Sequence, residues 1–175
     1  MNFIGHYTVE NYLNKLNNEL FMKLETSEYQ GILIGQIIVG FLGGLLLLLD
    51  DFAGWYHAGY RYEEWGDIYF GSGILASIFL FSMTLLLFNV AYSAVKIIKV
   101  KKIDSKELKT HCANSKRNGI IVAAICFVAG VIFVVSNIID ETEEWWLDTG
   151  FFAGIIGGIA LVLLARLILS KIKTQ

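Results

Sequence analysis

The side chains best able to do chemistry fall into two acidic clusters. One holds Asp50, Asp51, Glu63, Glu64 and Asp67; the other holds Asp140, Glu141, Glu143, Glu144 and Asp148. Clustered carboxylates suit hard divalent cations such as calcium or magnesium. A rim of carboxylates also concentrates cations at the mouth of a pore. His57 lies within the first cluster and would bias a metal site toward zinc, but HxxxH or comparable spacing is missing. The plainer reading is that acids gather on one side of a membrane because lysines are kept on the other.

Other chemistries lack a complete set of parts. Gly71-Ser72-Gly73 places a serine between glycines, as an intramembrane serine protease does, yet no histidine follows in a later apolar segment to act as its base. His6 and His111 are expected in polar segments on one side of the membrane and His57 on the other, which does not suit bis-histidine haem. Cys112 is expected in a basic loop and Cys126 inside an apolar block. Their different depths argue against a disulfide, and neither has CxxC spacing. No ionisable residue is expected at the middle of an apolar block, which argues against an intramembrane proton relay. No catalytic residue and no cofactor are implied.

The elements that must position the acids are four apolar blocks. Gly31–Leu49 is nineteen residues without a charge and with one strongly polar side chain, Gln36. A helix rises about 1.5 Å per residue, so roughly 20 apolar residues cross a hydrocarbon core of about 30 Å. Three further blocks qualify, near residues 69–95, 119–139 and 150–169. A buried helix of a soluble bundle keeps a polar face; these blocks are read as lacking one. The fold expected is therefore an all-α integral membrane protein with a four-helix bundle. No cleavable signal peptide is in view, because the first apolar run begins only at Gly31, behind a polar segment without a basic start.

Basic residues set orientation when counted over short loops. Asp50–Ile68 carries one basic residue and five acids, Lys96–Asn118 eight basic residues and two acids, and Asp140–Thr149 no basic residue and five acids. Lys171 and Lys173 follow the last block, with Arg166 just inside it. The lysine-rich loop and both termini are accordingly expected in the cytosol, in the plasma (inner) membrane, with the acidic loops outside. Trp55, Trp65, Trp145 and Trp146 all lie in or beside the acidic loops, where amphipathic rings settle at headgroup level.

The acidic turns also look duplicated. Asp50-Asp51 and Glu63-Glu64-Trp65 answer to Asp140-Glu141 and Glu143-Glu144-Trp145, with roughly residues 52–62 extra in the first copy. Both copies start on the same side, so the repeat is parallel, with a pseudo-twofold axis along the membrane normal. The organisation expected is a cytosolic helix in 1–30, a first hairpin in 31–95, a basic linker in 96–118, and a second hairpin with a short tail in 119–175. Val9, Tyr12, Leu13, Leu16, Leu20 and Leu24 fit one face of an amphipathic helix over Thr8–Glu28. With two lysines against four glutamates it suits a protein surface better than anionic lipid, and the basic linker is its natural partner.

Small residues four apart let helix backbones approach where lipid offers no hydrophobic drive. Gly31/Gly35, Gly40/Gly44 and Gly154/Gly158 have that spacing, which makes spans one and four the expected site of closest packing. Gln36, Ser77, Ser82, Thr84, Asn89, Ser136 and Asn137 are the polar side chains inside the spans, read as hydrogen-bonding glue between helices. The function expected is that of a non-catalytic membrane subunit in a homo-oligomer or larger complex, with the bilayer and other membrane subunits as partners and no nucleic acid. The alternative is a small cation channel or transporter with an acidic outer vestibule.

Overall fold

A computed structural model describes residues 23–56, 63–65, 74–139 and 144–174. Its elements are β1 (Lys23–Glu25), a 3-10 turn (Thr26–Tyr29), α1 (Gln30–Leu49), β2 (Ala53–Tyr56), β3 (Glu63–Trp65), α2 (Ile74–Ile98), β4 (Lys102–Asp104), α3 (Ser105–Ile139), β5 (Glu144–Leu147) and α4 (Thr149–Thr174). Four helical stretches are long and apolar enough to cross a bilayer, which is the architecture of a multi-pass membrane protein.

The helices form a square in chain order. α2 runs back along α1, with Gly40 against Leu87 and Ala91, and Thr84 Oγ1 donating to Gly44 O at 3.3 Å. α4 runs back along α3, with Gly119 against Gly158 and Gly130 against Phe151. α1 meets α4 through Gly43 and Gly157, and the lighter α2–α3 seam closes the square. Two apolar cores fill it. One, around Leu47, Leu87, Val122, Cys126 and Leu161, occupies the half nearer the acidic loops. The other, around Tyr29, Leu33, Leu108, Cys112 and Ile168, occupies the lysine-rich end.

A small sheet lies at each end. At the lysine-rich end β1 pairs antiparallel with β4, placing Leu24 opposite Ile103, both buried, and Glu25 opposite Lys102. This corrects the last residues of the expected Thr8–Glu28 helix: Lys23–Glu25 is strand and Thr26–Tyr29 a 3-10 turn, because pairing with β4 offers the backbone a ladder. The rest of that helix lies outside the described residues. The expected linker, 96–118, holds the end of α2, strand β4 and the first turns of α3, which begins at Ser105.

At the acidic end β2 is the middle strand, with β3 on one edge and β5 on the other. The two acidic loops are thereby joined in one sheet. Trp146 lies across the bare face of Gly54, where a Cβ would meet its indole at 2.5 Å, and Trp146 Nε1 donates to Asp148 Oδ2 at 3.2 Å. Beneath the sheet Phe52 is fully buried against Phe151, edge to face at 5.6 Å.

Candidate functional site

Between the two apolar cores lies a polar layer. Gln36 of α1 is fully buried there, and its amide nitrogen donates to Ser115 Oγ of α3 at 3.0 Å. Its carbonyl oxygen stands 2.9 Å from His111 Nε2, also on α3. His111 Nδ1 is 2.9 Å from Ser93 Oγ of α2, and Ser115 Oγ donates to Leu161 O of α4 at 3.4 Å. All four helices meet in this one network. A buried polar group without a partner costs about 1–3 kcal/mol, so the layer holds the helices in register as well as in contact.

The hydrogen count in this network is informative. With the Gln36 nitrogen committed to Ser115, its oxygen can only accept, so His111 Nε2 carries a proton and donates to it. Ser93 has a single hydroxyl proton and two neighbours that can take it, His111 Nδ1 and Val90 O at 2.9 Å. When the imidazole is neutral, the Ser93 hydroxyl donates to Nδ1. When Nδ1 is protonated it donates to Ser93 Oγ, and the hydroxyl turns to Val90 O. The site accommodates both charge states of the imidazole by one hydroxyl rotation, with no helix displaced.

This placement corrects two expectations. His111, expected in a polar segment, is only 6% exposed and lies within α3, among the helices. Cys112, expected in a basic loop, is fully buried. The signal that would have found both is the run Leu108, His111, Cys112, Ser115, Asn118, Gly119 and Val122, spaced three and four apart like the buried face of any helix. The lysines between them concealed it.

His111 is also the floor of a groove between α2 and α3 of about 470 Å³, opening at the lysine-rich end. Farther along the seam Asn118 Nδ2 donates to Leu86 O at 3.2 Å. Of the in-span polar residues expected to join helices, Gln36 and Thr84 do so, whereas Ser82 and Asn137 bond back to their own helices and Asn89 is exposed at the groove.

The acidic residues are placed differently from one another. Asp148 stands just before α4: its Oδ1 accepts from the Thr149 N–H at 2.7 Å and from the Thr149 hydroxyl at 3.3 Å, and its backbone carbonyl accepts from the Phe152 N–H at 3.3 Å. Asp50 Oδ1 accepts from the Asp51 N–H at 3.1 Å, and Asp51 O accepts from the Gly150 N–H at 2.9 Å, tying the end of α1 to the start of α4. Glu63 and Glu64 lie in β3, and Glu144 is exposed in β5. His57, Asp67, Gly71-Ser72-Gly73, Asp140, Glu141 and Glu143 lie outside the described residues. Among the described residues no group of three His, Cys, Asp or Glu side chains is placed to hold a metal ion.

The glycines divide as well. Gly40 and Gly44 pack on α2, against Leu87 and Phe88, while Gly154 and Gly158 pack on α3, against Cys126, Gly119 and Ala123. The closest approaches therefore lie within each hairpin, and spans one and four meet instead through Gly43 and Gly157. A Cβ on Gly35 would make only ordinary contact with Leu164, and one on Gly31 would meet nothing within 4 Å. Gly43, Gly119 and Gly130 are packing glycines that spacing alone did not single out. Comparison with protein-family models, curated proteins and solved structures found no match.

Proposed function

We propose that this chain is a non-catalytic multi-pass membrane subunit that acts in a homo-oligomer or a larger membrane complex. The observation that carries the reading is an apolar groove of about 360 Å³ on the outer flank of the α1–α4 seam. Its floor is made of small residues, Gly43, Ala153, Gly157 and Ala160, and its rim of exposed Leu42 and Ile156. Small residues between apolar ridges are what a neighbouring transmembrane helix packs against. The interior of the bundle, by contrast, is filled by its own side chains. The test is mass in mild detergent: the native chain runs as an assembly, and Ala153→Phe, which fills the groove from its floor, reduces it to a monomer. A native chain that is monomeric sinks the reading.

The same proposal includes the orientation, with the lysine-rich end and both termini in the cytosol of the plasma membrane, and the duplication of the hairpin. The duplication is supported by β3 and β5, which carry the matching Glu-Trp segments and flank β2 on opposite edges.

A second reading, a small cation channel with an acidic outer vestibule, is favoured by that sheet. It gathers Glu63, Glu64 and Glu144 within the width of three strands, about 10 Å. In this reading the conducting path runs between subunits. Planar-bilayer recording tests it: cation current that weakens when Glu63, Glu64 and Glu144 become glutamine supports the channel, and a silent preparation overturns it.

A further inference from the structure

We infer that the groove between α2 and α3 binds the headgroup and glycerol backbone of a zwitterionic phospholipid carrying a primary ammonium, a phosphoethanolamine lipid.

The first argument is charge. Lys96, Lys106, Asp104 and Glu107 all line the groove, two cations and two anions in one space. Among the described residues no ion pair joins these four to one another. Asp104 Oδ1 accepts from the backbone N–H of Lys106 at 2.8 Å, which caps α3 but leaves the Lys106 ammonium free. Lys96 Nζ rests over the Tyr92 ring, 4.5 Å from its centroid. A purely anionic headgroup would satisfy the lysines and set its phosphate against Glu107 and Asp104. A ligand bearing a phosphate and an ammonium satisfies both signs. An ammonium with N–H donors also hydrogen-bonds a carboxylate, which a quaternary choline cannot do.

The second argument is the order of groups along the groove. The charged residues lie at the mouth, where α2 ends and α3 begins. Asn89 and Asn114 lie deeper; Asn89 is seven residues from Lys96, about 10 Å along the helix. Amide N–H donors at that depth meet the ester carbonyls of a glycerolipid whose phosphate is at the mouth. Beyond Asn89, Leu85 and Phe81 continue at four-residue steps on the same stripe of α2, both exposed and apolar. Charged mouth, amide neck and apolar track follow the order of headgroup, ester and acyl chain. The floor is held in place, because His111 bonds both Ser93 and Gln36.

The experiment is competitive lipid retention. The full chain, purified in mild detergent, is incubated with equal amounts of phosphatidylethanolamine, phosphatidylcholine and phosphatidylglycerol, repurified, and its bound lipid identified by native mass spectrometry. The phosphatidylethanolamine adduct is expected to exceed each of the others by about tenfold, the scale of one or two charge-assisted hydrogen bonds. Glu107→Gln is expected to abolish that preference and Lys106→Gln to lower retention of all three lipids, both at exposed positions and both with the circular-dichroism melting curve in place. Equal retention of the three lipids, preference for phosphatidylglycerol, a preference untouched by Glu107→Gln, or total retention untouched by Lys106→Gln overturns the inference. Calorimetry with free O-phosphoethanolamine is the second arm: tight binding of that soluble compound, with no lipid retained, overturns the lipid as the source.

Discussion

At the residue scale the protein depends on hydrogen bonds between buried side chains of different helices. Gln36, His111 and Ser115 are buried between apolar cores, so each removal strands a partner. Gln36→Leu leaves Ser115 Oγ and His111 Nε2 without their shared neighbour and is expected to destabilise the fold by about 1–3 kcal/mol. His111→Leu is expected to cost about the same. The double variant removes both ends of one bond, so its cost should fall short of the sum by roughly 1 kcal/mol. Denaturation in mixed micelles, run as a double-mutant cycle, measures this. Additive losses would mean that the two residues do not share an interaction. One half of the layer was legible in the sequence: Gln36 is a lone polar side chain in an apolar block, and such residues bond between helices. The other half was not, because His111 and Ser115 sit among Lys106, Lys109, Lys116 and Arg117. Those charges mark solvent only on their own face of α3, and the face behind them is as buried as any other.

At the element scale, glycines and one tryptophan decide how closely the pieces approach. Gly158 faces Gly119, where a Cβ on either would stand 2.5 Å from the other's carbonyl oxygen. Backbone cannot yield as a side-chain tip can. Gly158→Val is therefore expected to part α3 from α4 and to cost about 3 kcal/mol or more, the scale of severe overpacking. Gly31→Ala, in open space near the start of α1, is expected to be neutral or to stabilise by about 0.5–1 kcal/mol through helix propensity. Thermal unfolding in detergent checks the contrast, and similar losses at the two positions would contradict the packing described. Gly54→Val tests the sheet at the acidic end: it should displace Trp146 and shift tryptophan emission to the red, with the helical signal intact. Apolar block length showed the four helices. The strands stayed hidden because each is three or four residues long, too short for alternation to register. β1 was concealed further, since Leu24 continues the helical spacing of Leu16 and Leu20 and becomes strand only because β4 lies alongside.

At the scale of the whole molecule, charge is distributed along the bundle and also around it. The Gln36–Ser115 bond fixes a common height on α1 and α3. At that height α1 exposes Ile34 and Ile38, and just beyond it α3 exposes Arg117. On α4 the first exposed cation is Arg166, followed by Lys171, whose Nζ donates to Glu28 O at 3.4 Å, below the start of α1. The polar boundary therefore stands higher on α3 and α4, which expose Arg117 and Arg166, than on α1, which carries no charged residue. Long side chains bridge part of such a difference by reaching back to the headgroups. The remainder calls for a tilted bundle or for polar matter packed beside α3, and the groove holding Lys96 and Lys106 opens on that side. Whichever way it tilts, the end bearing β1 and β4 carries the lysines, and the orientation proposed above puts that end in the cytosol. Single cysteines test this in a chain whose two buried cysteines, Cys112 and Cys126, are replaced by alanine. Lys101→Cys and Trp145→Cys lie at opposite ends of the bundle, both exposed. In intact cells an impermeant maleimide is expected to label the cysteine at 145 at once and the one at 101 only after permeabilisation. The reverse pattern would invert the protein in its membrane. Labelling of both from outside would mean that α3, which lies between the two positions, does not cross the bilayer.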